Sequence, residues 1–234
     1  MKMFNHQAFG LKQGNLYEII ATTYSLTKNS KGIKPNASCM GIRMIEGEQI
    51  QISPFYKTTT YKNLKESSLV TINFVDDIYL YALAALKEPN SLVELTDFPS
   101  DYYDFKYLES ISMDFPYIKK AWGILIGEVS QEFQKVKTDN LGEYIMPVFK
   151  LDVIYSEKLK DSYKLFNRAE NLALEIIILA TRLKIAKQNQ NQTQFKNIYN
   201  KILDHIENIE RFGQNKNAIK TLELIKNYTS KLNE

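Results

Sequence analysis

Ser53-Pro-Phe-Tyr-Lys-Thr-Thr-Thr-Tyr-Lys-Asn-Leu64 is the stretch on which the reading of this chain turns. It continues from Gln49-Ile-Gln-Ile-Ser53, where polar and apolar residues alternate as in a half-buried strand. Further on, Tyr61, Leu64 and Lys65 fall at helical spacing, and Thr60 has the chemistry of a helix N-cap. A strand therefore ends, Lys57 and three threonines follow, and a helix runs within Thr58–Ser67. Helix N-termini expose unpaired N–H groups and the positive end of the helix dipole. Lys57 and the hydroxyls of Thr58, Thr59 and Thr60 turn such a terminus into an anion site, with phosphate the best-suited ligand. The plain alternative is a Thr-rich cap beside a solvated lysine.

On either side the pattern is that of strands. Leu16–Tyr24 is rich in β-branched and aromatic residues, and Asn36–Met44 reads as its hairpin partner across Asn29, Ser30, Gly32 and Pro35. Gly47 marks the next turn, and Leu69–Val75 is a further strand ended by Asp76 and Asp77. Asp77–Leu86 has room for a short helix. Lys87–Tyr117, with Pro89, Pro99, Pro116 and several acids, reads as irregular. Ala121–Val129 and Glu143–Tyr155 close the set. Many short strands with one short helix favour a small barrel.

After Tyr155 the period changes. Leu172, Ile176, Leu179 and Leu183 make an apolar stripe along a helix over Arg168–Lys187. Gln188–Gln194 reads as a connection. Ile198, Ile202, Ile206 and Ile209 make a second stripe, stopped by Gly213, and Leu222, Ile225 and Leu232 belong to a third. The expected organisation is a β-rich domain over residues 1–155 and a helical domain over 156–234, an α+β chain that is mainly β.

Composition narrows the function. Hydrophobic residues are 44% and charged residues 24%, ordinary for a globular protein with a core of its own. The net charge of +3 is too small to argue for nucleic acid. It is unevenly placed: from Tyr155 onward the chain carries 14 Lys+Arg against 9 Asp+Glu, which solvated helix faces explain. One cysteine, Cys39, excludes an intrachain disulfide. With only His6 and His205 beside it, little is left for a zinc site or a Ser-His-Asp triad. No apolar run has the length of a membrane span and no signal peptide opens the sequence, so a soluble, cytoplasmic protein is expected.

Two further segments accompany the Thr-rich turn. In Pro35-Asn-Ala-Ser-Cys-Met-Gly41, small residues let a flat ligand approach the backbone, and Asn36 adds a side-chain amide. In Val70-Thr-Ile-Asn-Phe74, Asn73 sits within an apolar strand and needs a partner, either a ligand or a neighbouring loop. Taken in order, these three segments resemble the FMN-binding split-barrel proteins of the flavin reductase type. More closely they resemble the DUF447 family, whose helical signature is similar to Phe166–Leu183. The resemblance implies an FMN-binding homodimer with the flavin near the subunit interface. It implies that Asn36, Ala37, Ser38, Met40 and Gly41 line the ring. Lys57, Thr58, Thr59 and Thr60 would hold the phosphate, and Asn73 would reach the ribityl chain or ring edge.

Arg43 is a further candidate for the flavin phosphate, since it shares a strand face with Gly41 and Cys39, opposite to Ser38 and Met40. One ring therefore meets both faces only through backbone contacts or a bulge near Gly41. Cys39 reads as a small hydrophobe rather than a redox centre. Arg168, Glu175 and Arg182 form a helix row that is either solvent-facing or an interface network.

The expected function is an electron-transferring flavoprotein of the reductase or oxidase type, without a recognisable catalytic acid or base. NAD(P)H would bind only transiently, since no Gly-rich dinucleotide loop is present. The alternatives are a non-catalytic FMN carrier or sensor, or a split-barrel binder of a deazaflavin cofactor or pyridoxal phosphate.

Overall fold

Strand β1 (Leu16–Ser25) and strand β2 (Lys34–Met44) form the expected hairpin, in unbroken antiparallel register from Leu16 opposite Arg43 to Ser25 opposite Lys34. The computed structural model describes residues 4–25, 34–46, 49–88, 94–139, 142–162, 168–212 and 216–233. Asn29, Ser30, Gly32, Gly47 and Gly213, read above as turn and stop residues, lie outside these ranges. Side chains alternate across each strand. Ile19 and Ala21 of β1 and Met40, Ile42 and Met44 of β2 therefore share one face, which is the barrel interior.

Strand β3 (Ile50–Ile52), helix α1 (Thr59–Ser67) and strand β4 (Leu69–Phe74) follow. Ile50, Ile52, Val70, Ile72 and Phe74 join the same core, and Leu64 of α1 plugs it at 1% exposure. Strand β7 (Gly123–Asp139) and strand β8 (Gly142–Lys158) complete it with Leu125, Phe149 and Leu151. The six strands close in the order β1-β2-β3-β8-β7-β4, with every pairing antiparallel.

Two features were not expected. The first is a hairpin, β5 (Tyr103–Leu108) with β6 (Met113–Ile118), inside the stretch read as irregular. Pro116 argues against a strand in a sheet centre, but in a two-stranded ribbon both strands are edges and tolerate it. Leu108 and Phe115 of this ribbon form a second core with Tyr24, Leu69 and Ile126 of the barrel wall. The second is the length of β7 and β8. Their pairing shifts register at Ile126/Gly127 and Val129/Gln131, then continues to Asp139 opposite Gly142 as a projecting arm.

The remaining elements are helices α2 (Ile78–Leu86), α3 (Arg168–Gln188), α4 (Gln192–Phe212) and α5 (Lys216–Asn233). Helices α4 and α5 bury the apolar stripes read from sequence, whereas α3 buries Ala169, Ala173, Ile176, Ile177, Ala180 and Leu183 and leaves Leu172 and Leu179 half-buried. Helix α2 starts where Asp77 Oδ1 accepts from Tyr79 N at 3.1 Å. The chain forms two compact units, residues 1–76 with 99–162, and residues 77–98 with 163–234. Helix α2 thus groups with the C-terminal helices, although it precedes Tyr155. Its physical reason is composition: Ile78, Leu80, Tyr81, Ala82, Leu83, Ala84 and Leu86 are all buried, so the helix needs cover all round. It packs on α3 and α5. Just beyond it, Glu88 accepts from Tyr228 Oη at 2.8 Å and pairs with Lys184 Nζ at 2.8 Å. Burial, then the Glu88 carboxylate, push the Tyr228 hydroxyl well above the ordinary phenol range. Among the described residues no helix is long and apolar enough to cross a membrane.

Leu64→Ala is expected to cost about 2–5 kcal/mol, the usual range for a buried leucine whose site cannot collapse. Urea unfolding checks this, as a lower midpoint at an unchanged slope.

Candidate functional site

The Thr-rich turn is built by short-range bonds. Past β3, the Thr58 N–H and Oγ1 both donate to Phe55 O, at 3.0 and 2.7 Å. This fixes Thr58 in an extended conformation, from which its Oγ1 accepts from Tyr61 N at 3.2 Å. Thr58, not Thr60, is therefore the N-cap of α1. The sequence offers three successive hydroxyls, and the turn back to Phe55 selects the first. The N–H groups of Thr59 and Thr60 lie at the helix start, where no intrahelical acceptor exists. Lys57 and Thr59 are exposed beside them. At the other end of α1, Lys65 Nζ bonds Glu132 on β7 at 2.6 Å, which raises the ammonium pKa. Exposed as it is, the pair adds little stability.

Thr60 points the other way. It is 1% exposed, and its Oγ1 donates to Ser38 Oγ at 2.9 Å. Asn36 Nδ2 donates to Thr60 Oγ1 at 3.2 Å and lies 3.3 Å from Ser38 Oγ. Asn63, one turn along α1, donates from Nδ2 to Thr23 Oγ1 at 3.1 Å, and Asn36 Nδ2 reaches the same hydroxyl at 3.5 Å. Thr23, Asn36, Ser38, Thr60 and Asn63 thus tie the start of α1 to the inner face of the β1–β2 hairpin. Thr23 and Asn63 were not singled out from sequence. The available signal was spacing: Asn63 falls three residues after Thr60 on one helix face.

Lys57, Thr58, Thr59, Thr60, Asn36 and Ser38 are brought together, and four other candidates are not. Met40 packs against the barrel core. Ala37 is fully buried on the opposite face of β2. Gly41 lies on that outer face too, where a Cβ would come within 2.6 Å of Leu16 Cδ1. Pairing runs through Gly41 without a shift, so no bulge rotates this strand. Asn73 is fully buried, donating to Ile20 O at 2.8 Å and Thr22 Oγ1 at 3.1 Å, while its Oδ1 accepts from Ile118 N at 2.7 Å. With Thr22 Oγ1 donating to Pro116 O at 2.6 Å, it fastens the β5–β6 hairpin to the barrel. Arg168, Glu175 and Arg182 on α3 are exposed. Cys39 is partly exposed and not in a disulfide. No group of three or more His, Cys, Asp or Glu among the described residues is placed to hold a metal.

Residues 17–158 match the family described as protein of unknown function (DUF447) N-terminal domain, and residues 167–227 match the companion model of the same family. The chain belongs to the DUF447 family. An FMN-bound DUF447 protein from Methanosarcina mazei is similar in structure over 96% of this chain and 100% of its own, at 21% identity and TM-score 0.66. That likeness establishes the fold as a split barrel followed by helices. A flavin reductase solved with NADP+ aligns over 68% of this chain and 88% of its own, at 16% identity and TM-score 0.44. A flavin reductase domain protein from Arthrobacter aligns over 70% and 99%, at 11% identity and TM-score 0.45. No curated protein matches the sequence.

In this DUF447 chain Asn73→Leu is expected to leave the Ile118 N–H and the Ile20 carbonyl without their side-chain partner. The cost is about 2–3 kcal/mol, as for buried polar groups left unpaired. Amide exchange at Ile118 checks this, and should quicken well before exchange in β1 and β2 does.

Proposed function

We propose that the chain binds FMN, with its phosphate at the start of α1 and its ring beside the Asn36–Ser38 end of β2, and works as a reductase- or oxidase-like electron carrier. The observation that carries this is the network joining Thr60 to Asn36 and Ser38. It fixes a helix N-terminus next to polar side chains that suit the edge of a heterocycle. The residues fit the group. Thr58 and Thr60 spend their hydroxyls on protein partners. The Lys57 ammonium, the Thr59 hydroxyl and the first N–H groups of α1 are left to face a phosphate. The FMN bound to the Methanosarcina mazei family member supports the same cofactor.

When bound, FMN supplies the hydride and single-electron chemistry. The chain's own task is to hold the phosphate, orient the ring and leave one face of it open to a donor such as NAD(P)H. A homodimer completes the proposal.

The absorption spectrum of purified protein, with and without added FMN, is the test. Retained flavin absorbance after removal of excess cofactor supports the reading, and a colourless protein that fails to retain FMN overturns it. Lys57→Ala with Thr59→Ala should weaken FMN about 100-fold with the fold intact, two charge-assisted bonds of about 1.5 kcal/mol each. NAD(P)H oxidation by the loaded protein separates a reductase from a carrier.

A further inference from the structure

The outer face of the barrel carries a groove of about 260 Å³, on the side of β2 away from the Thr60 network where the FMN site is proposed. Its floor runs from Gly41 on β2 to β3, and the β7–β8 arm forms one wall. The side chains of Asn36, Ser38 and Met40 face the other side of the same strand, so the groove and the inner network are separated by the sheet itself.

Three cations line this groove, Arg43, Lys135 and Lys137, against one carboxylate, Glu18. Lys135 and Lys137 lie two residues apart on one strand, so both side chains leave the same face, their Cα atoms about 7 Å apart. Their cross-strand partners are Met146 and Tyr144, which offer no counter-charge. Among the described residues neither lysine is in a salt bridge. Arg43 is already oriented. Its Nη1 donates to Gly14 O at 2.7 Å, and Gly14 is held there by its own N–H to Met44 O at 2.9 Å and by a left-handed φ of 79°. The remaining guanidinium donors are left over. The rest of the lining is mixed: Leu16, Met146 and Val148 are apolar, while Gln51, opposite Arg43 on β3, and Ser53 are polar.

From this geometry we infer that the groove is a binding site for a small organic phosphate, its phosphoryl group on Arg43, Lys135 and Lys137 and its apolar part on Leu16, Met146 and Val148. Unpaired like charges on one strand face are relieved by a polyvalent anion, and the Arg43 fork, oriented by Gly14 O, suits a phosphoryl group. The size bounds the ligand. At 260 Å³ the groove is below the range of about 300–1,000 Å³ that engulfs drug-sized molecules, so it takes a small monophosphate rather than a dinucleotide. Glu18 sets a further limit: its Oε1 lies 3.8 Å from where a Gly41 Cβ would stand, so the phosphoryl group belongs at the arm side of the groove.

The probes are phenyl phosphate and inorganic phosphate, titrated into the full-length protein at low salt by calorimetry, with amide shifts followed by NMR. Phenyl phosphate is expected to bind at least tenfold tighter than inorganic phosphate and to shift Gly41 and Arg43. Lys135→Glu with Lys137→Glu, both exposed positions, should weaken it more than 30-fold while FMN retention is unchanged. Lys57→Ala with Thr59→Ala should leave it intact. Binding that survives the Lys135/Lys137 change, or is lost with Lys57/Thr59, overturns the site. Loss of FMN with Lys135/Lys137, and not with Lys57/Thr59, would overturn both this site and the α1 phosphate assignment. Failure of FMN to bind at all, with phenyl phosphate bound as described, would leave the groove standing alone.

Discussion

A strand shows each side chain to only one side of its sheet, and β2 is where this constraint governs the most. Asn36, Ser38, Met40, Ile42 and Met44 face inward, while Ala37, Gly41 and Arg43 face out. The hairpin register with β1 runs unbroken through all of them. A shift of one residue would turn the polar end outward, away from Thr60, and put Arg43 into the apolar core. The register is held from both sides. Ile19 opposite Met40 and Ala21 opposite Ser38 keep the core face apolar toward the barrel centre and polar toward its mouth. Thr23 opposite Asn36 then supplies the hydroxyl on which the amides of Asn36 and Asn63 converge.

The strands of the barrel were legible because their alternation is strong: the ends of β1 to β4 were placed to within a residue or two. The β5–β6 hairpin was not, because Pro116 and the acids around it outweigh a short alternating run, and its stability comes from docking through Thr22 and Asn73 rather than from its own pattern. Asn73 illustrates the limit well. That it needed a partner was readable, and of the two partners on offer the structure shows the neighbouring hairpin. The start of α1 was misplaced by two residues because hydroxyls at Thr58, Thr59 and Thr60 are equivalent in sequence, and only the turn back to Phe55 tells them apart. Of the candidate residues, the chemical types were readable and the separation of the inner set from Gly41 and Arg43 followed from alternation. The groove wall was not readable, since the stretch beyond Val129 is polar and its two apolar residues, Phe133 and Val136, stand three apart, so no alternation signals that β7 continues.

The two cores solve different problems. The barrel interior is a single apolar set drawn from every strand, with α1 acting as its plug through Leu64. The smaller cluster around Tyr24 and Phe115 gives the hairpin an apolar underside, and its edge-on ring pair, with centroids 6.3 Å apart, adds specific geometry to simple burial. Polar bonds fix where these pieces sit, and apolar area keeps them there.

The grouping of α2 with the C-terminal helices has a consequence for the order in which the chain is made. Synthesis runs from the N-terminus, so an almost wholly apolar helix leaves the ribosome before the strands that close the barrel and well before α3, α4 and α5. Over that interval it has no native cover. The second unit is therefore complete only after α5 has been made, and α2, encoded between two strands of the barrel, waits on helices far along the chain for the surface that buries it.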